Sequence, residues 1–72
     1  MTEIKISTPF IKLDQFLKFT GMSFNGAEAK SIIKDGLVKV NGETELRRGK
    51  KLYEGDTVFV SADDGKYEFK VK

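Results

Sequence analysis

The sequence predicts an α+β domain in which a two-helix unit packs on a small, mostly antiparallel β-sheet. Three observations support this class. The chain has 72 residues, which is the length of one domain spanning residues 1–72. Two segments of its first half have apolar residues at helical spacing, and its second half has two hairpin turns between alternating apolar segments. The predicted order is therefore a strand, two helices and then the strands of a sheet.

A short strand and a helix are predicted at the start of the chain. Residues 3–7 alternate apolar and polar side chains, which is typical of a strand with one buried side. Thr8 as a cap and Pro9 at the first helical position predict where the first helix begins, and Gly21 predicts its end. The apolar stripe expected to join the core consists of Phe10, Leu13, Phe16 and Leu17.

The second helix has the clearest start and stop signals. Asn25 as cap and Glu28 three positions later form a capping-box pattern, and Gly36 supplies a left-handed stop. Lys30 and Lys34 are one turn apart, beside the expected buried face. They either have no structural role or present two ammonium groups to one ligand. The buried face is expected to consist of Ala29, Ile32 and Ile33.

The second half of the chain predicts the sheet. An Asn-Gly pair at Asn41 and Gly42 and an Asp-Gly pair at Asp64 and Gly65 are strong hairpin signals. A further turn is expected at residues 54–56. The strands between these turns are marked by the alternating apolar residues Val38, Val40, Val58, Val60, Tyr67, Phe69 and Val71.

The composition excludes several classes of function. The chain has no cysteine and no histidine, which excludes disulfides, thiol catalysis and most transition-metal sites. Asp63 and Asp64 are turn residues without the further oxygen ligands that a calcium or magnesium site needs. We therefore expect no catalytic residue, no metal site and no cofactor. Neither an apolar run of membrane length nor a signal-peptide pattern is present, so a cytoplasmic protein without a membrane partner is expected.

The net charge of +2 is unevenly distributed. Residues 30–51 have seven basic and three acidic residues, a net charge of +4, whereas residues 1–29 sum to zero and residues 52–72 to −2. Such local positive charge is typical of a polyanion-binding face, although a merely solvated face would look the same.

The basic loop, residues 47–51, contains four cations whose mutual repulsion a phosphate backbone would relieve. Lys12 has no acidic residue three or four positions away, whereas Lys18 follows Asp14 by four positions and should pair with it. Asn25 marks a helix start where a phosphate could bind, or it is only a cap. The candidate anion-binding residues are Lys12, Asn25, Lys30, Lys34, Arg47, Arg48, Lys50 and Lys51.

The predicted helices, strands and turns contain a set of motifs over positions 11–60. They comprise Lys12-Leu13-Asp14, Gly21, Ala29-Lys30, Gly36, Val38, Val40-Asn41-Gly42 and Gly55-Asp56. In this order and spacing they resemble the S-four (S4) domain, an αL-like RNA-binding domain first named in small-subunit ribosomal protein four. The stretch from Val40 to Asp56 is similar to the short standalone bacterial members. The resemblance implies RNA binding through both helices and the basic loop, with structured ribosomal RNA or a ribosomal particle as partner, in ribosome assembly or translation. A monomer is expected.

Two departures from the family pattern affect the expected RNA contacts. Asn25 and Gly26 stand where many members have Ser-Arg, and Lys12 stands where arginine is common. Lysine provides a point charge rather than a fork that grips phosphate bidentately. The basic loop is therefore expected to contribute more of the affinity. RNA-modifying members have a separate catalytic domain, so a non-enzymatic protein without a small-molecule substrate is expected.

Two alternative functions remain open on the sequence. The segment "VNGE" followed by "LYEGDTV" also occurs in β-grasp sulfur carriers, but those carriers need a C-terminal Gly-Gly and this chain ends in "FKVK". The same basic face could instead contact an acidic protein, as in an interaction adaptor.

Overall fold

The computed structural model describes all 72 residues, and it confirms the α+β class with two helices on a mostly antiparallel sheet. The elements are β1 Thr2–Ile4, β2 Ile11–Lys12, α1 Leu13–Phe19, α2 Gly26–Lys34, β3 Val38–Val40, β4 Glu43–Thr44, β5 Lys51–Leu52, β6 Thr57–Ala62 and β7 Gly65–Val71. Five strands form the main sheet in the order β1-β7-β6-β3-β4, and β2 pairs with β5 in a separate two-stranded ribbon. In the main sheet β1 is parallel to β7, and every other pair is antiparallel.

The hydrophobic core lies between the helices and one face of the main sheet. Phe16 of α1 is fully buried and packs edge-on against Phe69 of β7, with ring centroids 5.8 Å apart. Residues of the opposite sheet face, such as Lys39 and Glu68, are exposed. The alternation of side chains along each strand therefore separates a buried face from a solvated one. The core consists of Leu13, Phe16, Leu17, Ala29, Ile33, Val38, Val40, Leu52, Val58, Val60, Phe69 and Val71.

The prediction for the start of the first helix was wrong. Thr8 and Pro9 precede the helix by several residues, and the Thr8 hydroxyl donates to the carbonyl of Phe10 at 2.8 Å. The chain is extended at Ile11 and Lys12 because it pairs there with β5. This long-range pairing overrides the local signals, so that α1 begins at Leu13, with Lys12 at the cap position and without a side-chain cap.

The first strand and Phe10 also differ from the predictions. The strand covers Thr2–Ile4 rather than residues 3–7, and Ile6 is half-buried beyond its end. Phe10 lies outside the helix and is half-buried against Tyr53. Asp14 and Lys18 form no ion pair, and a carboxylate oxygen of Asp14 instead accepts a hydrogen bond from the N–H of Gln15 at 2.8 Å.

The start and end of α2 confirm the sequence signals. Oδ1 of Asn25 accepts the backbone N–H of Glu28 at 2.8 Å, and Gly36 has a φ of 78° after the last turn. The Glu28 carboxylate accepts the N–H of Phe24 at 2.7 Å, one residue before the position expected of a capping box. Ala29 and Ile33 are buried, whereas Ile32 is only half-buried. No helix in the molecule is both long enough and apolar enough to cross a membrane.

The turns at Asn41-Gly42 and Gly55-Asp56 are joined by side-chain hydrogen bonds. Asn41 has a φ of 52°, as the left-handed hairpin turn requires, and its Oδ1 accepts the N–H of Thr57 at 2.9 Å. Its amide nitrogen donates to Oδ1 of Asp56 at 3.1 Å. The other carboxylate oxygen of Asp56 accepts the N–H of Tyr53 at 2.8 Å. These bonds fix the end of β5 against the β3–β4 hairpin and thereby hold the basic loop between two rigid points.

Candidate nucleic-acid interface

The pairing of β2 with β5 places two cations side by side. Lys12 and Lys51 are direct partners in the antiparallel ribbon, and both are exposed. Directly opposed residues have Cβ atoms about 4.5–5.5 Å apart, where like charges are destabilising. This pair therefore does not stabilise the free fold. A negatively charged ligand would remove the repulsion.

The backbone of the basic loop is attached to the first turn of α1. The N–H groups of Leu13 and Asp14 donate to the carbonyls of Lys50 at 2.8 Å and Arg48 at 3.0 Å. These bonds satisfy two of the N–H groups that a helix start leaves unpaired. They also bring Arg48 and Lys50 to the end of the molecule where Lys12 and Lys51 lie. We call Lys12, Arg48, Lys50 and Lys51 the basic surface.

Arg47 differs from the other cations of the loop because its charge is already paired. Its guanidinium donates to the Glu45 carboxylate through Nε at 2.9 Å and Nη2 at 3.2 Å, and its backbone N–H donates to the same group at 3.0 Å. The Glu45 side chain is only 13% exposed, whereas that of Arg47 is 72% exposed. The expectation of four mutually repelling cations is thus corrected to three cations without a carboxylate partner.

The ion pair shifts the titration of both partners. Hydrogen bonds from the Arg47 side chain lower the pKa of the Glu45 carboxyl below its ordinary value, and the backbone N–H and the charges of Arg47 and Lys50 act in the same direction. The same side-chain hydrogen bonds raise the pKa of Arg47. The spacing of Glu45 and Arg47, two positions apart, is the sequence feature that could have indicated this ion pair.

We expect the free energy of unfolding of Glu45→Gln to decrease less in acid than that of the wild type. A carboxyl whose pKa is lowered by folding stabilises the protein above the unfolded value of about 4.3. That stabilisation is lost as the pH falls through the lower folded pKa. Urea unfolding between pH 6 and pH 3 should therefore show a steeper decline for the wild type than for Glu45→Gln.

Glu43→Gln provides the control for this titration. Glu43 is exposed on β4, two residues away, and forms no ion pair. Its variant should decline with the wild type, because the Glu45–Arg47 pair is intact in both proteins. Parallel curves for the wild type and Glu45→Gln would show that the Glu45–Arg47 pair does not form in solution.

The two lysines of α2 form a separate exposed pair. Lys30 and Lys34 each follow a buried residue of the helix by one position and are exposed. Glu28 and Ile32, on the opposite flank, line a cavity of about 400 Å³ that borders the β6–β7 hairpin. The lysine flank therefore faces away from that hairpin. Asn25, at the start of the helix, uses its side-chain oxygen as the cap.

Two aromatic residues beside the basic surface were not among the predicted site residues. The rings of Phe10 and Tyr53 lie with their centroids 6.0 Å apart, and the Lys51 ammonium nitrogen is 4.7 Å from the centroid of Phe10. Tyr53 also lines a cavity of about 520 Å³, together with Arg47, Gly49, Lys50 and Lys51. Position 53 lies two residues after the end of the basic loop, and this proximity was the one sequence signal for an aromatic residue at this surface.

These features define a class of small α+β domain with a cationic loop anchored to the start of its first helix. The chain belongs to the S4 domain family, whose model matches residues 4–70. The match confirms the resemblance over positions 11–60 and extends it to residues 4–10 and 61–70, which include most of the C-terminal hairpin. The β-grasp carrier alternative is therefore replaced by membership in the S4 domain family.

Three relatives show the range of proteins that contain a similar segment. The chain is 46% identical over 55 residues to "Probable ribosome maturation protein RlbA" of Bacillus subtilis, covering 76% of this chain and 78% of the relative. It is 44% identical over 50 residues to "Putative RNA-binding protein YbcJ" of Escherichia coli K12, covering 69% and 71%. An "Uncharacterized RNA pseudouridine synthase" of Aquifex aeolicus is 36% identical over 58 residues, 81% of this chain but 18% of that protein.

Proposed function

We propose that this protein is a non-enzymatic RNA-binding module that contacts structured ribosomal RNA or a ribosomal particle, as a cytoplasmic monomer. Its contact surface is the basic surface, with Lys30 and Lys34 of α2 as further phosphate contacts. Arg47 and Asn25 contribute less to RNA binding, because Arg47 is paired with Glu45 and Asn25 caps its helix. The function within the ribosome cycle is assembly or translation.

The observation that supports this proposal most directly is the opposition of Lys12 and Lys51 across the ribbon. Like charges in register weaken a strand pair. Double-helical RNA is recognised mostly through its shape, phosphates and 2′-hydroxyls, and cations held at fixed spacing suit that recognition. The names of the Bacillus and Escherichia relatives refer to ribosome maturation and RNA binding, which agrees with this use of the surface.

The relative from Aquifex supports a binding role rather than a catalytic one. The similar segment covers only 18% of a protein named as a pseudouridine synthase. A shared segment of that size within a much longer enzyme is consistent with an RNA-binding part attached to a separate catalytic part.

Salt dependence tests the proposal. If the surface neutralises a handful of phosphates, log affinity for a ribosomal RNA fragment should fall with log salt with a slope of roughly −3 to −5. Fluorescence anisotropy between 50 and 300 mM salt measures this slope. A flat response would overturn the phosphate-binding role. Co-sedimentation with ribosomal particles before and after nuclease treatment tests the partner, since association that survives RNA digestion indicates contact with an acidic protein instead.

A further inference from the structure

We propose that Tyr53 forms the floor of a subsite for one unpaired nucleobase, next to the cations of the basic surface. This inference rests on the proposed RNA-binding function and specifies its ligand. An RNA that fills this subsite presents an unpaired nucleotide from a loop, bulge or strand end, which a fully paired duplex lacks.

The ring of Tyr53 is available to a ligand. The residue is 49% exposed, although it directly follows the fully buried Leu52. Its hydroxyl forms no hydrogen bond within the protein, whereas the other tyrosine, Tyr67, donates its hydroxyl to Asp64 at 2.9 Å. Tyr53 therefore has both an accessible ring and an unused hydrogen-bonding group.

The backbone of Tyr53 is held by two hydrogen bonds, and one side of its ring is packed before any ligand binds. The N–H of Tyr53 donates to the Asp56 carboxylate at 2.8 Å, and its carbonyl accepts the N–H of Asp56 at 3.0 Å. On one side the ring lies against Phe10 at 51° and a centroid distance of 6.0 Å. A constrained aromatic side chain loses little conformational entropy when it stacks on a base.

The surroundings of the ring match a nucleotide rather than an apolar ligand. The cavity of about 520 Å³ is lined by Tyr53, by the three cations Arg47, Lys50 and Lys51, and by Gly49, which adds no side chain. Tyr53 is the only aromatic residue of this lining, so one base can stack there while its flanking phosphates meet Lys50 and Lys51, which have no carboxylate partner. Stacking on aromatic side chains is how proteins bind single-stranded nucleotides, and a base within a duplex has both faces covered by its neighbours.

Tyr53→Leu tests the subsite, with Tyr53→Phe as the matched control. Leucine keeps an apolar side chain but removes the aromatic face, whereas phenylalanine keeps the face. We expect Tyr53→Leu to weaken binding to a ribosomal RNA hairpin with an unpaired loop by about 5- to 100-fold, the range for loss of one stacked base. The salt slope should stay unchanged, because no charge is removed. Tyr53→Phe should bind within a few-fold of wild type.

A fully paired duplex of the same length separates this inference from the general proposal. The duplex should bind the wild type and Tyr53→Leu equally. If the wild type binds neither RNA, the proposed function fails. If it binds both and Tyr53→Leu matches it on the hairpin, only the subsite is overturned. Circular dichroism of each variant verifies that it is folded.

Tyrosine fluorescence provides a direct readout of stacking. The chain has two tyrosines and no tryptophan, so the variant Tyr67→Phe emits from Tyr53 alone. Saturation with the loop-containing hairpin should quench this emission, and saturation with the duplex should leave it unchanged. Unquenched emission at saturating hairpin would overturn the proposal.

Discussion

The double variant Arg48→Glu, Lys51→Glu is expected to lose affinity for ribosomal RNA by on the order of a hundredfold at 100 mM salt, while the fold is retained. Both side chains are exposed on the basic surface, and neither forms an ion pair within the protein. Each lost phosphate contact should also lower the magnitude of the salt slope by about one. Anisotropy titrations at several salt concentrations measure both effects.

Lys39→Glu, Lys66→Glu is the charge-matched control for this experiment. Both lysines are exposed on β3 and β7, away from the basic loop. Two reversals change the net charge from +2 to −2 in either protein. If affinity depends on the basic surface, the control should bind much more tightly than Arg48→Glu, Lys51→Glu. Equal losses in the two variants would show that net charge, and not this surface, determines binding.

Arg47 is left unchanged in this design because of its partner. Reversal of Arg47 would place two carboxylates together and remove three hydrogen bonds to Glu45. A loss of affinity in that variant would then report a distorted loop as well as a missing cation.

Phe16→Ala is expected to remove a large part of the free energy of unfolding. Truncation of a buried phenylalanine costs about 3–5 kcal/mol, and Phe16 is fully buried against Phe69. The free energy of unfolding of a chain this short is roughly 4–11 kcal/mol. Urea denaturation followed by circular dichroism should show a lower midpoint, or no folded baseline at all.

Phe19→Ala is the matched control on the same helix. Phe19 lies three positions after Phe16, but its side chain is 64% exposed. Its truncation should change the free energy of unfolding by no more than about 0.5 kcal/mol. A comparable loss in both variants would contradict the arrangement of the core.

The elements that the sequence predicted correctly are those determined by neighbouring residues. The Asn25 cap, the Gly36 stop and the Asn41-Gly42 turn each depend on interactions within a few positions. The start of α1 could not be predicted in this way, because Ile11 and Lys12 pair with residues 51–52, forty positions along the chain. Phe10 was assigned to the wrong environment for the same reason.

In the candidate site, too, the features set by neighbouring residues could be predicted and those set by long-range contacts could not. The cations of the loop are evident from the residue letters, but their pairing is not. Glu45 neutralises Arg47 only because the chain turns after β4, and Lys12 meets Lys51 only because the ribbon brings them into register. Tyr53 was not predicted as a site residue, because the sequence does not show that it is exposed beside the buried Leu52. An exposed aromatic residue cannot be told from a core aromatic residue without these contacts.

The parallel pairing of β1 with β7 has a consequence for folding during translation. Residues 2–4 are made first, yet their partners are residues 69–71, and hydrogen bonds between Ile4, Ile6 and Lys72 close the same edge at 2.8 and 3.0 Å. β1 can therefore join the sheet only after residues 69–71 have left the ribosome, so its pairing is a late step of folding during translation. The strand pairing of the ribbon that anchors the basic loop, by contrast, involves no residue beyond Leu52.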